Sequence, residues 1–217
     1  MSTLAKLTSS TRQSPKFLGP MQVRSTLARI AAEQLEAVQN EVESATQKAK
    51  SLIAGRSEID LTTRLEPASW SVAECLDHLT QTTNAFVPAI TSAIVTAPQL
   101  TMNRPLKTGA LTKLLIQNLE PPYRLRFNVL APLVPRQQDF YLAWSAFEDS
   151  QAQLKKTMQS ASGLAIDEVS IESPVYARLS YNVYGALRML TAHERRHLWQ
   201  IEQIFKTLDG TQAYNAS

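Results

Sequence analysis

Thr191-Ala192-His193-Glu194-Arg195-Arg196-His197-Leu198-Trp199-Gln200-Ile201-Glu202 carries two of the three histidines in the chain, four residues apart. In an α-helix that spacing is about one turn, roughly 6 Å along the axis, so both imidazoles project from one face and can chelate a small divalent ion. The run around them is helical in period: Val183, Leu187, Leu190, His197, Ile201, Phe205 and Leu208 share one face. His197 is therefore expected to point toward a core. Glu194 falls on the same inward arc, where a buried carboxylate needs a partner, and a metal or a metal-bound histidine would serve. The pair also has a plain reading, because so short a pattern arises by chance: one histidine hydrogen-bonded in a core and the other at its rim.

Outside this stretch, composition sets the frame. With 217 residues, 44% of them hydrophobic and 19% charged, the chain suffices for one globular domain with a substantial core. Its single cysteine, Cys75, excludes an intrachain disulfide and fits a reducing compartment, so a cytoplasmic location is expected. There is no apolar run of about eighteen residues, hence no membrane span is expected. A formal charge of +3 spread along the chain argues against nucleic acid as a partner.

In chain order, residues 1–20 are rich in Ser and Thr and hold Lys6, Arg12 and Lys16, with no acid before Glu33. They read as a flexible tail, a targeting segment being the alternative, and they lack an apolar h-region. The folded domain is expected over 21–210, followed by a short tail over 211–217. A first helix is predicted from Gln22 to Ala54, with Val23, Leu27, Ile30, Leu35, Val38, Val42, Ala45, Ala49 and Leu52 at three- and four-residue steps. Gly55 closes it, and a polar connection runs through Glu66-Pro67-Ala68-Ser69.

The second helix begins at a capping box, Ser71-Val72-Ala73-Glu74, with Trp70 before it placed to staple onto Cys75. Its apolar stripe is Val72, Cys75, Leu79, Phe86 and Ile90, and His78, the third histidine, lies on the flank of that stripe. If this helix runs antiparallel to the last one, the early position of His78 matches the late positions of His193 and His197. Pro88 is a candidate kink, and Pro98 ends the helix. A long connection follows to Pro135, holding Pro105, Pro121, Pro122 and Pro132 and a short helical piece from Ala110 to Leu119. Connections of this length usually have a task, such as a crossover or a lid over a pocket. A third helix is predicted from Arg136 to Ser160, then a polar segment from Ala161 to Arg178, and a last helix ending at Gly210.

Four long amphipathic helices imply an all-α bundle, and bundles build metal sites from facing helices. Here the chain resembles a known family. Trp70-Ser71-Val72-Ala73-Glu74-Cys75-Leu76-Asp77-His78-Leu79 is similar to the W-S-x-x-E-x-L-x-H-L segment of DinB-like proteins. His193-Glu194-Arg195-Arg196-His197-Leu198-Trp199-Gln200-Ile201 is similar to their H-E-x-x-H-x-x-Q-I segment. Elsewhere only helix order and length agree, and neither residues 1–20 nor the Pro-rich insert aligns. The resemblance implies a four-helix bundle of up-down-down-up topology, often a homodimer, in which three histidines hold a divalent metal such as nickel or zinc. Carried over singly, those ligands are His78, His193 and His197.

Three protein nitrogens leave at least one coordination position open, which is the mark of a catalytic zinc site. Some relatives are thiol-dependent S-transferases or isomerases using bacillithiol or mycothiol, and others are described as metal-dependent hydrolases. The expected activity is thus a metal-dependent transferase or hydrolase acting on a small molecule. Glu194 is the candidate general base, or else it orients a histidine. Gln200, one turn past His197, could contact bound solvent or simply pack; Glu74 is the capping residue; Cys75 reads as a small buried hydrophobe rather than a ligand. Two other classes remain open. His193-Glu194-Arg195-Arg196-His197 is literally the H-E-x-x-H of zinc proteases, but no third histidine follows and no convincing strand would shape a peptide cleft. The other is a non-catalytic binding protein with a structural or vestigial metal.

Overall fold

Ala31, Leu35, Val38, Val42, Ala45 and Ala49 recur at alternating steps of four and three, and they are the residues that α1 (Arg29–Ile53) buries. The computed structural model describes residues 29–122, 129–137 and 139–215, with side chains through 211. The predicted start of the first helix at Gln22, and the tail over 1–20, lie outside the described residues. Gly55, at φ 74°, takes the left-handed conformation that lets the chain leave the helix. A five-residue helix that periodicity could not reveal, α2 (Glu58–Thr62), follows under its own capping box between Ser57 and Asp60.

The capping box predicted at Ser71 forms as its sequence requires: Ser71 Oγ accepts from the Glu74 amide at 3.3 Å and the Ser71 amide donates to Glu74 Oε2 at 2.8 Å. It opens α3 (Val72–Thr96), which carries Pro88 within it. Trp70 joins the core cluster that includes Cys75. The insert folds as α4 (Ala110–Leu119), the span expected, followed by a 3-10 turn at Ala131–Leu133. The third long helix, α5 (Phe140–Ser160), starts later than Arg136 because Asp139 caps it, its Oδ1 accepting from the amides of Tyr141 and Leu142 at 2.8 and 3.2 Å.

The segment from Ala161 to Arg178 is not only polar connection. It holds β1 (Ser170–Glu172), which pairs antiparallel with β2 (Ser180–Asn182) so that Ile171 lies opposite Tyr181, both turned to the core. Three-residue strands are too short to leave a readable alternation. The last helix, α6 (Val183–Asn215), passes through Gly210 instead of ending there. Nothing lies within 4 Å of a Cβ built at Gly210, so this glycine is a solvent-facing helical position whose weak propensity costs about 1 kcal/mol without breaking the helix.

α3 packs on α5 and α6, α1 packs on α6 and α5, and α4 lies along α6. Ion pairs link Glu41 to Arg195, Lys48 to Glu202 and Arg56 to Asp209, so residue numbers on the first and last helices rise together. The apolar interior forms two clusters. One gathers Phe86, Ile90, Leu154, Met158, Leu187 and Leu190; the other gathers Leu76, Leu79, Phe147, Leu198, Ile201 and Phe205. Between them, on three helices, stand the buried polar residues His78, Gln151, Glu194 and His197. No helix among the described residues is long and apolar enough to cross a membrane.

Candidate metal centre

His78 stands in the second turn of α3, where the capping box fixes the start of the helix and hence the direction of the side chain. Its Nδ1–H donates to the carbonyl of Leu133 at 2.7 Å. A carbonyl only accepts, so the proton sits on Nδ1 and the lone pair of neutral His78 is on Nε2. On α6, the His197 Nδ1–H is matched in the same way by Gln200 Oε1 at 3.1 Å, again leaving Nε2 as the lone-pair nitrogen. His193 completes the set, its Nε2 lying 3.2 Å from that of His78 and 3.1 Å from that of His197. The three donor atoms all fall within 4.8 Å of one another, which brings together the three predicted ligands.

Electrostatics keeps the three clustered imidazoles uncharged. Burial holds the pKa of all three imidazoles down and Arg196 adds to the effect; at His78 the Leu133 carbonyl and Asp77 oppose it, whereas at His193 and His197 neighbouring histidines reinforce it, so these two lie well below the ordinary histidine range. Neutral rings then aim lone pairs at one another, and the single proton available to His193 Nε2 cannot satisfy both neighbours. Ligand nitrogens on a tetrahedral ion, with bonds of about 2.0–2.1 Å, stand roughly 3.3 Å apart, close to the distances from His193 to His78 and to His197, while the third pair lies within 4.8 Å. The all-imidazole donor set and the two oriented rings fit a divalent metal ion.

Trp70 walls the site, its ring stacked on His197 with centroids 5.7 Å apart and tilted against His78 at 4.8 Å. The sequence suggested only a staple for this residue; its position just before the cap, two helical turns from His78, was the signal. Gln200, three residues after His197, was legible as a neighbour but not as the group that orients the ring. Leu133 was invisible because it acts through a backbone carbonyl, which any residue would supply.

Glu194 is not among the groups brought together. It is 2% exposed, and neither of its oxygens, nor the amide of buried Gln151 on α5, forms a hydrogen bond among the described residues. Burial raises its pKa to about 8, partly opposed by nearby Gln151 and Arg195 and reinforced by Glu41 of α1. At neutral pH it is thus mainly an uncharged acid within the bundle. Cys75 is fully enclosed between Glu74 and Leu76, burial pushing its thiol pKa up, and it is not among the converging donors.

The three histidines open onto a cavity of about 390 Å³ between α3, α4, α6, the segment around Leu130 and Leu133, and the hairpin loop with β2. Comparison with curated proteins and with solved structures returns no match. A family model does match, over residues 34–201, a span that takes in both histidine-bearing segments and the insert between α3 and α5. With that match covering most of its length, the chain belongs to the DinB superfamily.

Proposed function

We propose that this protein is a divalent-metal-dependent enzyme acting on a small molecule, with nickel or zinc held by His78, His193 and His197. The observation that carries the reading is the convergence of three lone-pair nitrogens beside a cavity. A bound ion supplies a Lewis acid with an open position, able to lower the pKa of a thiol or water. The chain's own residues do the rest: Leu133 and Gln200 hold the protons of two imidazoles on Nδ1, Trp70 restrains the rings, and the apolar wall excludes bulk water. This favours thiol-dependent S-transfer or hydrolysis, with a low-molecular-weight thiol as one substrate.

The companion readings are a four-helix bundle of up-down-down-up order, a homodimer and a cytoplasmic location. The rising pairs between α1 and α6 support the first, and the lone buried cysteine suits the last. The alternative is a binding protein whose metal is structural, favoured by the lack of a charged carboxylate at the cation position. Metal analysis of the purified chain tests the common premise, expecting about one ion per chain. Conjugation of small thiols to electrophiles then separates the two: no turnover with any thiol, at full metal content, supports the binding protein.

A further inference from the structure

The cavity beside the histidines is walled mainly by carbon. Phe86 and Leu190 come from the bundle, while Leu115, Leu119, Leu130 and Leu133 come from the insert between α3 and α5. Its volume of about 390 Å³ is at the small end of ligand sites, which run from about 300 to 1,000 Å³. Polar groups on the wall are few and mostly engaged: Thr82 Oγ1 donates to the His78 carbonyl at 2.9 Å, and the Tyr181 hydroxyl meets Ser173. Among the described lining residues the charged side chain is Arg196, 8% exposed, whose Nη1 reaches the Asn118 carbonyl at 3.5 Å. No Asp or Glu is among the described lining residues.

We propose that this cavity takes a small amphiphile, an aliphatic or aromatic body carrying one carboxylate, with the body among the insert leucines and the carboxylate toward Arg196 and the histidines. The inference rests on the metal-enzyme reading and deepens it by naming the substrate class. Described lining residues that include a guanidinium and no acid make the wall electropositive before any cation binds, so it favours an anionic head over a neutral one. The apolar wall favours a body of methylenes or a ring, each buried methylene improving binding roughly fourfold. Four of the six apolar residues named come from the insert, so that segment sets the length and width of the body accepted.

Calorimetric titration of the full chain, with Co2+ and without metal, tests this using butyrate, hexanoate, octanoate and the neutral control octanol. Octanoate is expected to bind once per chain, with affinity rising roughly fourfold per methylene along the acid series. Octanol is expected to bind roughly tenfold more weakly, and Arg196→Met to erase that preference. Leu119→Asp, or Leu115→Trp if the first variant unfolds, should abolish octanoate binding while the Co2+ absorption spectrum persists. The absence of saturable octanoate binding, equal binding of octanol, or wild-type binding by both cavity variants overturns the proposal. Failure to take up Co2+ overturns the metal reading alone, because octanoate binding by the metal-free chain still reports on the cavity.

Discussion

The Nδ1–H of His78 donates to the carbonyl of Leu133 at 2.7 Å across 55 residues of sequence, tying a candidate ligand on α3 to the last turn of the insert. The same Leu133 lines the cavity, so the segment that shapes the cavity also sets the tautomer of His78. This segment is in turn held by Asp77, whose Oδ2 accepts from the Arg136 amide at 2.7 Å.

Asp77→Ala is therefore expected to weaken metal binding although Asp77 is no ligand. Loss of a buried acceptor costs about 1–3 kcal/mol of stability, and a loosened carbonyl behind a ligating histidine costs roughly ten- to a hundredfold in affinity. Chelator competition on wild type and variant measures it, and unchanged affinity would separate the anchor from the site.

His197→Ala should abolish stoichiometric metal binding, whereas Gln200→Ala should only weaken it, by roughly ten- to a hundredfold, because the amide orients the ring without touching the ion. Mass-spectrometric metal content against added chelator distinguishes the two. Equal retention in both variants removes His197 from the ligand set.

Glu194→Gln should leave metal content and melting temperature at pH 7 close to those of wild type, since the carboxyl is buried, mainly uncharged and apart from the three nitrogens. Loss of metal in this variant would return Glu194 to the site.

Acid sensitivity should trace to Glu74. Burial raises its pKa, but Arg64 and the Ser71 amide and hydroxyl outweigh that and leave it lowered. A depressed folded-state pKa means its stabilisation is complete above the unfolded carboxylate value of about 4.3 and disappears as pH falls through the folded value. Urea midpoints from pH 7 down to pH 3 should consequently fall less steeply in Glu74→Gln than in wild type. Parallel slopes would refute the assignment.

Cys75 should resist a thiol reagent in the native protein and react only in denaturant, being 0% exposed with its thiolate disfavoured by burial. Rapid native labelling, read by the colour of the released chromophore, would contradict the packing around α3.

The three histidines of the candidate site were legible in the sequence because local helix geometry sets much of their direction. The four-residue step aligns His193 with His197, and the Ser71-Glu74 box fixes where α3 begins and thus where His78 points. Where Glu194 faces was not legible, for a related reason. A helix in a bundle has two inward-facing flanks, and the flank of Glu194 meets Gln151 of α5 and Glu41 of α1, whereas that of His193 meets α3. Gly210 was read as a stop because its propensity is low, but exposed glycine is tolerated within a long helix.

By itself, then, the sequence determined the long helices, the Ser71–Glu74 cap and the facing of the three imidazoles, since these follow from periodicity and short-range hydrogen bonding. Only the tertiary structure decided which nitrogen of His78 is free, where the buried carboxyl faces, and that insert leucines enclose a cavity beside the histidines. Those outcomes depend on contacts across tens of residues, on a backbone carbonyl without side-chain identity, and on the space left between elements that no local pattern encodes.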